Sequence, residues 1–502
     1  MSWLAERAAR SSAAEALVIG DVCIDYGELG RRARALQAAL HVQGVAPGEA
    51  IALLAAGALE VALLLHAAQS LGCTLLALNA RLTEPELARQ LAASGVRAIV
   101  AEPSSVERAS ALAAGCGIAA FRVDAQSPSL EPTLTHVSGQ RLSARHADTL
   151  ARGEERALLW LFTSGTSGEA KAAELSQRAL RASARGHERS IGLATGERWL
   201  ACMPMFHIGG LSILVRCTLA GASAVLHDRF DEGAVVAELT SGHIALVSLV
   251  PTMLARVLDA WGERPPPPRL RCVLLGGAAA PAPLLARAAA LGFPIAPTYG
   301  LTEAASQVAT RAPAEKREPL GGRLRALPGT ELRIMNEDGA LAPPGSEGEI
   351  CVRGETLMTR YVGNEVATSR ALRDGWLRTG DVGRLDDEGG LEVLDRRTDL
   401  IVSGGENVYP AEIENALHEH ADVLEAGVVA RADERFGARP VAFVVPRPSA
   451  RIDEVALRAH CAARLARFKT PDAFVFTDAL PRNAAGKLLR RELRDRLLRR
   501  RP

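Results

Sequence analysis

Apolar runs and helical periodicities follow one another along the first hundred residues and predict strands and helices in turn. Residues 26–43 place apolar side chains at helical spacing and predict a helix. The short apolar runs 50–54 and 74–78 predict buried strands, and residues 59–71 between them predict a helix. Residues 83–93 predict the next helix. This alternation is typical of a largely parallel sheet that carries helices on both faces.

The pattern changes in three later parts of the chain. Residues 127–153 are polar and predict an irregular connection, whereas residues 329–353 combine short apolar runs with Gly and Pro turns. The last hundred residues again mix strand and helix patterns. We therefore predict an α/β fold with two domains. Residues 1–395 form a large N-terminal domain of parallel-type sheets covered by helices, with a β subdomain, and residues 396–502 form a small α+β C-terminal domain.

Composition and charge exclude several classes of protein. A net charge of +1 over 502 residues gives no reason to expect nucleic acid as a partner. The eight cysteines form no C-x-x-C pair, so neither a disulfide framework nor a zinc site is indicated. The most apolar segment, residues 51–78, is interrupted by Glu60, His66 and Gln69 and predicts core structure, not a membrane span. We expect a cytoplasmic protein without a signal peptide, and a homodimer is compatible with the sequence.

One stretch, residues 161–171, has the composition of a phosphate-binding loop. It follows a buried apolar run and contains hydroxyl side chains, two glycines and a lysine: Thr163, Ser164, Gly165, Thr166, Ser167, Gly168 and Lys171. The glycines allow a tight turn whose N–H groups converge, and the lysine suits a phosphate oxygen. The spacing is not that of a Walker A loop. Taken alone, an ordinary surface turn is the alternative.

Two further stretches could bind a nucleotide beside such a loop. Residues 270–275 predict a strand that ends in Gly276, Gly277 and Ala278, and ligands of open α/β sheets bind outside the carboxyl ends of strands. In the second stretch, residues 299–303, Tyr299 offers a flat face for an adenine ring. Gly300 and Thr302 are further candidates for nucleotide binding in this stretch. The Glu303 carboxylate suits Mg²⁺.

Three motifs follow in the second half of the chain. Asp381 in Thr-Gly-Asp could accept hydrogen bonds from ribose hydroxyls. A long motif, residues 395–407, and a loop that ends in Lys487 complete the set. With the loop 161–171 and residues 299–303 these make five motifs, each of which is modest by itself. In this order they resemble the adenylate-forming superfamily of acyl-CoA synthetases, peptide-synthetase adenylation domains and luciferases, and the resemblance covers nearly the whole chain.

The resemblance implies a two-step reaction with ATP, Mg²⁺ and coenzyme A. A carboxylate attacks the α-phosphate of ATP to give an acyl-adenylate and pyrophosphate, and the thiol of coenzyme A then attacks the activated carbonyl. By position, Lys487 is the catalytic lysine, Arg396 contacts the nucleotide, and Thr398 is the hinge of a mobile C-terminal domain. Glu303 and Thr166 would hold Mg²⁺. The loop that closes over coenzyme A would contain Gly404, Gly405 and Glu406.

The acid is predicted from residues 204–212, which the resemblance places at the acyl pocket. This stretch has no aspartate to hold a substrate ammonium group, which argues against an amino acid. The substrate-binding candidates are His207, Gly209, Gly210, Ser306 and Gln307, and His207 is also a catalytic candidate. A buried structural histidine is the alternative for His207.

Several stretches, among them residues 204–211 and 274–281, are similar to the o-succinylbenzoate–CoA ligases of menaquinone synthesis. Ala304-Ala305 departs from what we expect of that branch, and the residue that would meet a second substrate carboxylate is not indicated. A medium-chain or aryl acid–CoA ligase remains an alternative, as does a catalytically silent acyl-nucleotide binding protein. A free-standing peptide-synthetase adenylation domain is a further alternative.

Overall fold

The structure, a computed structural model, describes most of the chain. The described residues are 2–125, 132–139, 142, 153–164, 170–277, 280, 282–313, 323–336, 339–395, 401–448, 450–481, 488 and 490–499. The chain divides into two units. The large unit contains Met1–Ala80, Leu91–Leu161 and Ala172–Asp395, and the small unit contains Arg81–Gln90, Phe162–Lys171 and Arg396–Pro502.

The helices of the described residues are numbered in chain order. They are α1 (Trp3–Ser11), α2 (Tyr26–Val42), α3 (Ala58–Leu71), α4 (Glu84–Ser94), α5 (Val106–Cys116), α6 (Gln177–Ser190), α7 (Ile208–Ala220), α8 (Glu232–Thr240), α9 (Pro251–Trp261), α10 (Ala282–Ala290), α11 (Glu365–Ala371), α12 (Pro410–His418), α13 (Glu454–Ala462) and α14 (Arg490–Arg499).

The strands are numbered in the same way. They are β1 (Glu15–Ile19), β2 (Val22–Asp25), β3 (Ala50–Leu54), β4 (Thr74–Ala77), β5 (Ala98–Ala101), β6 (Ala119–Asp124), β7 (Thr133–Ser138), β8 (Ala157–Ser164), β9 (Ala170–Ser176), β10 (Arg198–Ala201), β11 (Ser223–Leu226), β12 (Ile244–Leu249), β13 (Cys272–Leu275), β14 (Ile295–Leu301), β15 (Ser306–Thr310), β16 (Arg325–Ala326), β17 (Thr330–Met335), β18 (Gly348–Gly354), β19 (Arg360–Tyr361), β20 (Leu372–Arg373), β21 (Trp376–Leu385), β22 (Leu391–Asp395), β23 (Ile401–Ser403), β24 (Glu406–Val408), β25 (Val423–Asp433), β26 (Gly437–Pro446) and β27 (Ala473–Phe476).

Two large sheets organise the large unit. The strand order of one is β16-β15-β14-β13-β12-β10-β11-β1-β2, and that of the other is β19-β9-β8-β4-β3-β5-β6-β7. The central strands pair in parallel, as β12 does with β13 and β3 with β4. Helices α3 and α7 are mostly apolar and buried along almost their whole length, because both lie in the core to which the two sheets contribute.

A smaller sheet forms the β subdomain predicted from the Gly and Pro turns. Its order is β17-β18-β21-β20, with β22 paired to β21, and the pairings are antiparallel. The small unit has its own sheet, β24-β23-β26-β25 with β27 on β26, and a core of its own under α12 and α13. The predicted fold class is confirmed: a mixed α/β N-terminal domain with parallel sheets and a β subdomain, followed by a small α+β domain.

One element contradicts the pattern analysis. Residues 127–153, predicted to be irregular, contain β7, which pairs antiparallel with β6 at the edge of the second sheet. Its sequence is polar because an edge strand buries only part of its surface, and here exposed and partly buried positions dominate. The helix expected at residues 83–93 is present as α4. The Glu86 carboxylate accepts a hydrogen bond from the Thr83 backbone N–H at 2.8 Å, as in a capping box.

The structure contains no helix, among the residues described, that is long and apolar enough to cross a membrane.

Candidate active site

Strand β14 ends with Tyr299, Gly300 and Leu301. The short turn that leads from it to β15 carries Thr302 and Glu303. Gly300 cannot be replaced without moving the backbone, because a Cβ there would lie 1.9 Å from the Ser306 carbonyl oxygen. Ser306 has a φ of 100°, a left-handed conformation that is uncommon for a residue with a side chain. Backbone strain of this kind is concentrated at functional sites, and here it falls on Ala305, with a φ of 51°, and Ser306, two and three residues after Glu303.

Tyr299 and Asp381 come from distant parts of the chain and meet at this turn. The Tyr299 hydroxyl donates a hydrogen bond to the Asp381 carboxylate at 2.7 Å. The backbone N–H of Asp381 donates to the Thr379 hydroxyl at 3.1 Å, which orients the carboxylate. Both Tyr299 and Asp381 are buried. The structure thus brings together two residues that the sequence analysis assigned to the same nucleoside, one to the base and one to the ribose.

Glu303 is held by two contacts of different kinds. Its carboxylate accepts a hydrogen bond from the Tyr361 hydroxyl at 2.9 Å, and its backbone carbonyl accepts one from the Met358 N–H at 2.8 Å. The side chain is 3% exposed. A carboxylate with one oxygen bonded to a phenol retains acceptor capacity, so its chemistry fits Mg²⁺, which keeps several waters and takes few protein ligands. Bound there, Mg²⁺ would neutralise charge on nucleotide phosphates.

The loop predicted to bind phosphate is flanked by β8 and β9. Thr163 lies on β8 and Lys171 on β9, and the Thr163 hydroxyl lies 3.5 Å from the Lys171 carbonyl oxygen. In the large unit, Gly276 has no room for a side chain, since a Cβ would meet Thr298 Cγ2 at 2.7 Å. Gly277 has a φ of 86°. These two glycines therefore lie where only glycine fits, at the carboxyl end of β13.

Several predicted site residues lie outside the described part of the structure. They are Gly165, Thr166, Ser167, Gly168, Ala278, Arg396, Thr398 and Lys487, and the side chain of Ser164 belongs with them. Their roles stay predictions from the resemblance.

The segment assigned to the acyl pocket leads into α7. His207 is the residue that precedes the first turn, and its side chain does not cap the helix. The ring is partly exposed and lies 4.6 Å from the Phe206 ring, centroid to centroid. Gly210 is required by packing, because a Cβ there would approach the Pro204 carbonyl oxygen to 2.6 Å, and a Cβ on Gly209 would contact Met203. The bend that presents His207 therefore depends on these glycines.

His207→Ala separates a functional histidine from a structural one. Because the ring is partly exposed and its side chain does not cap α7, we expect a change in melting temperature of no more than about 2 °C. If His207 faces the reacting carboxylate, the initial rate should fall roughly tenfold or more. Thermal melts and initial rates on the same preparation give both values. A clear drop in melting temperature with normal turnover of the folded fraction would identify a structural residue instead.

Arg216, which the sequence analysis did not single out, is the most unusual charge in this unit. It lies in the apolar helix α7, is 3% exposed, and burial lowers its pKa to about 9. Its guanidinium donates to the Ser183 hydroxyl at 3.3 Å and stacks over the Trp199 ring at 5.7 Å. In the described part of the chain no carboxylate pairs with it, and its Nε has no hydrogen-bond partner. At neutral pH it is a buried positive charge with no carboxylate partner in the part of the chain that the structure describes.

Ser183 connects Arg216 to the nucleotide turn. The Ser183 hydroxyl that accepts from Arg216 donates to the backbone carbonyl of Ala305 at 2.7 Å. Ala305 is two residues after Glu303. The Ser183 hydroxyl therefore joins α6 and α7 to the turn that carries Glu303, the candidate Mg²⁺ ligand. This contact places the Arg216 guanidinium beside that turn.

Gln307, predicted to bind substrate, is occupied by protein partners. Its side-chain amide N donates to the Thr310 hydroxyl at 2.9 Å and to the Thr298 hydroxyl at 3.4 Å, and its oxygen lies 2.8 Å from His187 Nδ1. His187 is fully buried and packs on Trp199, with ring centroids 4.7 Å apart. Both Gln307 and His187 therefore support the wall of the site that carries Arg216.

A cavity of about 150 Å³ opens where α6 and α7 end. Arg216 and His187 line it together with Arg181, Arg185 and Glu188. A cavity of this size has room for several waters or for a carboxyl group and part of the chain that bears it. Its lining carries more positive than negative charge, so it favours an anion.

Two thiols, Cys202 next to the acyl segment and Cys272 on β13, are buried and poorly reactive. Cys202 directly precedes Met203 and Pro204, and Cys272 begins β13. Burial raises the pKa of each to about 12. All eight cysteines of the chain are free thiols, and the described thiols are mostly buried in this way.

In the small unit, the loop assigned to coenzyme A is a two-residue hairpin turn. Gly404 and Gly405 connect β23 to β24 with φ values of 58° and 85°, which only glycine adopts without cost. Glu406, the next residue, is buried and its carboxylate accepts from Arg81 at 2.6 Å within the same unit. The turn brings the backbone of both glycines to the edge of the unit.

Comparison with known proteins agrees with this geometry. Residues 4–362 match the model of the AMP-binding enzyme family, and residues 412–487 match the AMP-binding enzyme C-terminal domain. This chain belongs to the AMP-binding enzymes. Within that family it is 40% identical over 493 residues to the 2-succinylbenzoate–CoA ligase of Geobacillus kaustophilus, with 98% of this chain and 97% of the relative covered.

Solved structures of AMP-binding enzymes are similar over the whole chain. A double mutant of o-succinylbenzoate CoA synthetase from Bacillus subtilis, bound with its product analogue, has a TM-score of 0.87 at 34% identity, with 98% of both chains covered. The same synthetase in complex with ATP and magnesium ion has a TM-score of 0.71 at 34% identity, covering 98% of this chain and 99% of the other. The chain is therefore an AMP-forming acid–CoA ligase of this family.

Proposed function

We propose that this AMP-forming ligase activates 2-succinylbenzoate, converting it with ATP and coenzyme A to the acyl-CoA, AMP and pyrophosphate. The observation that carries the proposal is Arg216. Among the described residues no carboxylate pairs with this buried arginine, and such a charge costs several kcal/mol unless a ligand or another group supplies the negative charge. A dicarboxylic acid does so, because one carboxylate reacts with ATP and the other remains free to pair with the guanidinium.

The position of Arg216 suits the distance between the two carboxylates. Arg216 follows His207 by nine residues, which corresponds to about 13 Å along the axis of α7. Helical side chains lean back toward the N-terminus of their helix. The guanidinium therefore reaches back toward His207, and the Ser183 contact holds it beside Ala305. A ring carboxylate could meet it while the succinyl carboxylate lies near Glu303 and His207.

In adenylation, negative charge grows on the α-phosphate, so fixed cations and N–H donors should supply most of the rate enhancement. Asp381 and Tyr299 would bind the nucleoside, Lys171 and the loop amides the phosphates, and Lys487 the reacting oxygens. Glu303 would hold Mg²⁺, which supplies further charge neutralisation when bound. Coenzyme A thiol then displaces AMP, with no enzyme thiol or hydroxyl as a nucleophile.

A panel of acids tests the proposal directly. Pyrophosphate release is measured with ATP and Mg²⁺, with and without coenzyme A, for 2-succinylbenzoate, hexanoate, benzoate and several amino acids. The decisive comparison is 4-oxo-4-phenylbutanoate, which is 2-succinylbenzoate without the ring carboxylate. We expect kcat/KM to be at least a hundredfold higher for 2-succinylbenzoate than for this analogue. A preference for hexanoate or benzoate would make the chain a medium-chain or aryl acid ligase.

A further inference from the structure

A strand pair at the edge of the second sheet holds the backbone of Tyr361 in place. Strand β19 pairs antiparallel with β9, and Tyr361 stands opposite Ala173. The Tyr361 backbone N–H donates to the Thr368 hydroxyl at 3.0 Å, and the Val362 N–H donates to the Ala172 carbonyl at 2.8 Å. The Tyr361 side chain is buried in the core of the large unit. Its hydroxyl is therefore presented from a firmly held backbone.

Glu303 is fastened twice to the segment that contains Tyr361. The Tyr361 hydroxyl donates to Oε1 of the Glu303 carboxylate at 2.9 Å, and the Met358 N–H donates to the Glu303 backbone carbonyl at 2.8 Å. Between these two residues, the Thr359 N–H donates to the Glu174 carbonyl of β9 at 2.9 Å. The segment thus joins the turn that carries Glu303 to the sheet. The two attachments fix both the position and the direction of the carboxylate.

The phenol makes the two oxygens of the Glu303 carboxylate unequal. Oε1 shares its negative charge with the hydroxyl proton, so it is the poorer of the two oxygens as a ligand for a cation. Chelation of a cation by both oxygens would weaken or displace this hydrogen bond. Coordination by Oε2 alone keeps the hydrogen bond, and a carboxylate that a second partner already orients loses less freedom when it binds a metal.

Mg²⁺ and Ca²⁺ differ in what they require of a carboxylate. Mg²⁺ demands a near-ideal octahedral arrangement and usually combines one or two carboxylates with phosphate oxygens and waters. Ca²⁺ accepts a larger and more variable set of oxygens and often takes both oxygens of one carboxylate. A glutamate whose Oε1 is held by a phenol therefore suits Mg²⁺ better than Ca²⁺.

We propose that Tyr361 is a positioning residue that sets the choice of metal: its hydrogen bond to Oε1 restricts Glu303 to coordination through one oxygen and so favours Mg²⁺ over Ca²⁺. Tyr361 does not touch the metal and acts only through Glu303. The inference rests on the part of the proposed function that assigns Mg²⁺ to Glu303. It does not depend on which acid the enzyme activates.

Equilibrium binding of a nucleotide analogue tests the proposal without turnover. The probe is α,β-methylene-ATP, in which the bond that adenylation breaks is replaced. Its Kd is measured by calorimetry with Mg²⁺ or Ca²⁺ in excess over the nucleotide. In Tyr361→Phe we expect the Mg²⁺ complex to bind about tenfold more weakly, because loss of a group that orients a metal ligand has effects of this size. The Kd of the Ca²⁺ complex should change no more than about twofold, since Oε1 becomes available to the larger ion.

Two further variants separate an effect on the metal from damage to the fold. Tyr26→Phe is the matched control, because it also removes a buried phenolic hydroxyl, one that donates to the Cys217 and Ala222 carbonyls at 2.8 and 2.6 Å. It should leave both Kd values unchanged. Glu303→Gln should weaken the Mg²⁺ complex at least as much as Tyr361→Phe does. Adding Tyr361→Phe to Glu303→Gln should then have no further effect on either complex.

Steady-state kinetics add a second readout. In Tyr361→Phe the KM for Mg²⁺–ATP should rise about tenfold, while the KM for the acid stays within a fewfold. Equal weakening of the two metal complexes, no weakening, or an effect that persists in the Glu303→Gln background would overturn the role of Tyr361 and leave the proposed function intact. Unchanged binding of the Mg²⁺ complex by Glu303→Gln would overturn both the inference and the assignment of Mg²⁺ to Glu303.

Discussion

Replacing Lys487 by alanine should slow adenylation roughly a hundredfold or more and leave thioester formation almost unchanged. The lysine would stabilise charge that develops on the reacting oxygens, and loss of such a donor costs about 3–4 kcal/mol of transition-state stabilisation. The resemblance implies that the small domain presents one face for adenylation and another for thioester formation. Lys487 would then contact ATP only in the first arrangement.

The two half-reactions can be separated in single-turnover experiments. Pyrophosphate formation from ATP and acid reports the first, and acyl-CoA formation from a supplied acyl-adenylate reports the second. Lys171→Ala is a useful comparison, since it should also slow the first step by loss of a phosphate contact. Thr398→Pro should restrict the hinge and impair the two half-reactions unequally. Equal slowing of both steps by Lys487→Ala, or no slowing, would contradict the assignment.

Replacing Arg216 by methionine should abolish the preference for the dicarboxylic acid. A charge-assisted contact to a desolvated carboxylate is worth about 3–4 kcal/mol, so kcat/KM for 2-succinylbenzoate should fall roughly two to three orders of magnitude. For 4-oxo-4-phenylbutanoate, which lacks the ring carboxylate, the change should stay within a fewfold. The steady-state constants for both acids, measured side by side, check this.

The same variant should not be less stable than the wild type. Methionine has a similar length and no charge, so it removes an unpaired buried cation and leaves Ser183 bonded to Ala305. We expect a melting temperature equal to or a few degrees above that of the wild type. A large drop in melting temperature, with equal losses of activity for both acids, would show that Arg216 is a structural residue.

The fold was largely predictable because most buried elements are apolar without interruption. Residues 50–54 are buried at every position in β3, and the pattern alone indicates a strand there. Strand β7 was missed for the opposite reason. Its pattern is weak because it is an edge strand, and its place depends on pairing with β6, which a local pattern cannot show.

Sequence motifs predict the nucleotide side of the site, whereas no motif indicates the wall that carries Arg216. Tyr299, Glu303 and Asp381 stand in motifs with recognisable neighbours. Arg216 stands alone in α7, and its one signal is a single charge in an otherwise apolar helix. The sequence gives no indication of a role for His187. Its position in the wall depends on a hydrogen bond to Gln307, 120 residues away, and sequence spacing does not reveal such a contact.

The burial of Cys202 and Cys272 has a consequence for an enzyme that makes mixed anhydrides. An acyl-adenylate acylates any thiolate within reach, and the thiol of coenzyme A must be the one that reacts. With pKa values near 12, the two thiols stay almost wholly protonated at neutral pH, and a protonated thiol is a poor nucleophile. The chain can therefore carry a cysteine two residues from Pro204 without acylating itself, and the intermediate survives until coenzyme A arrives.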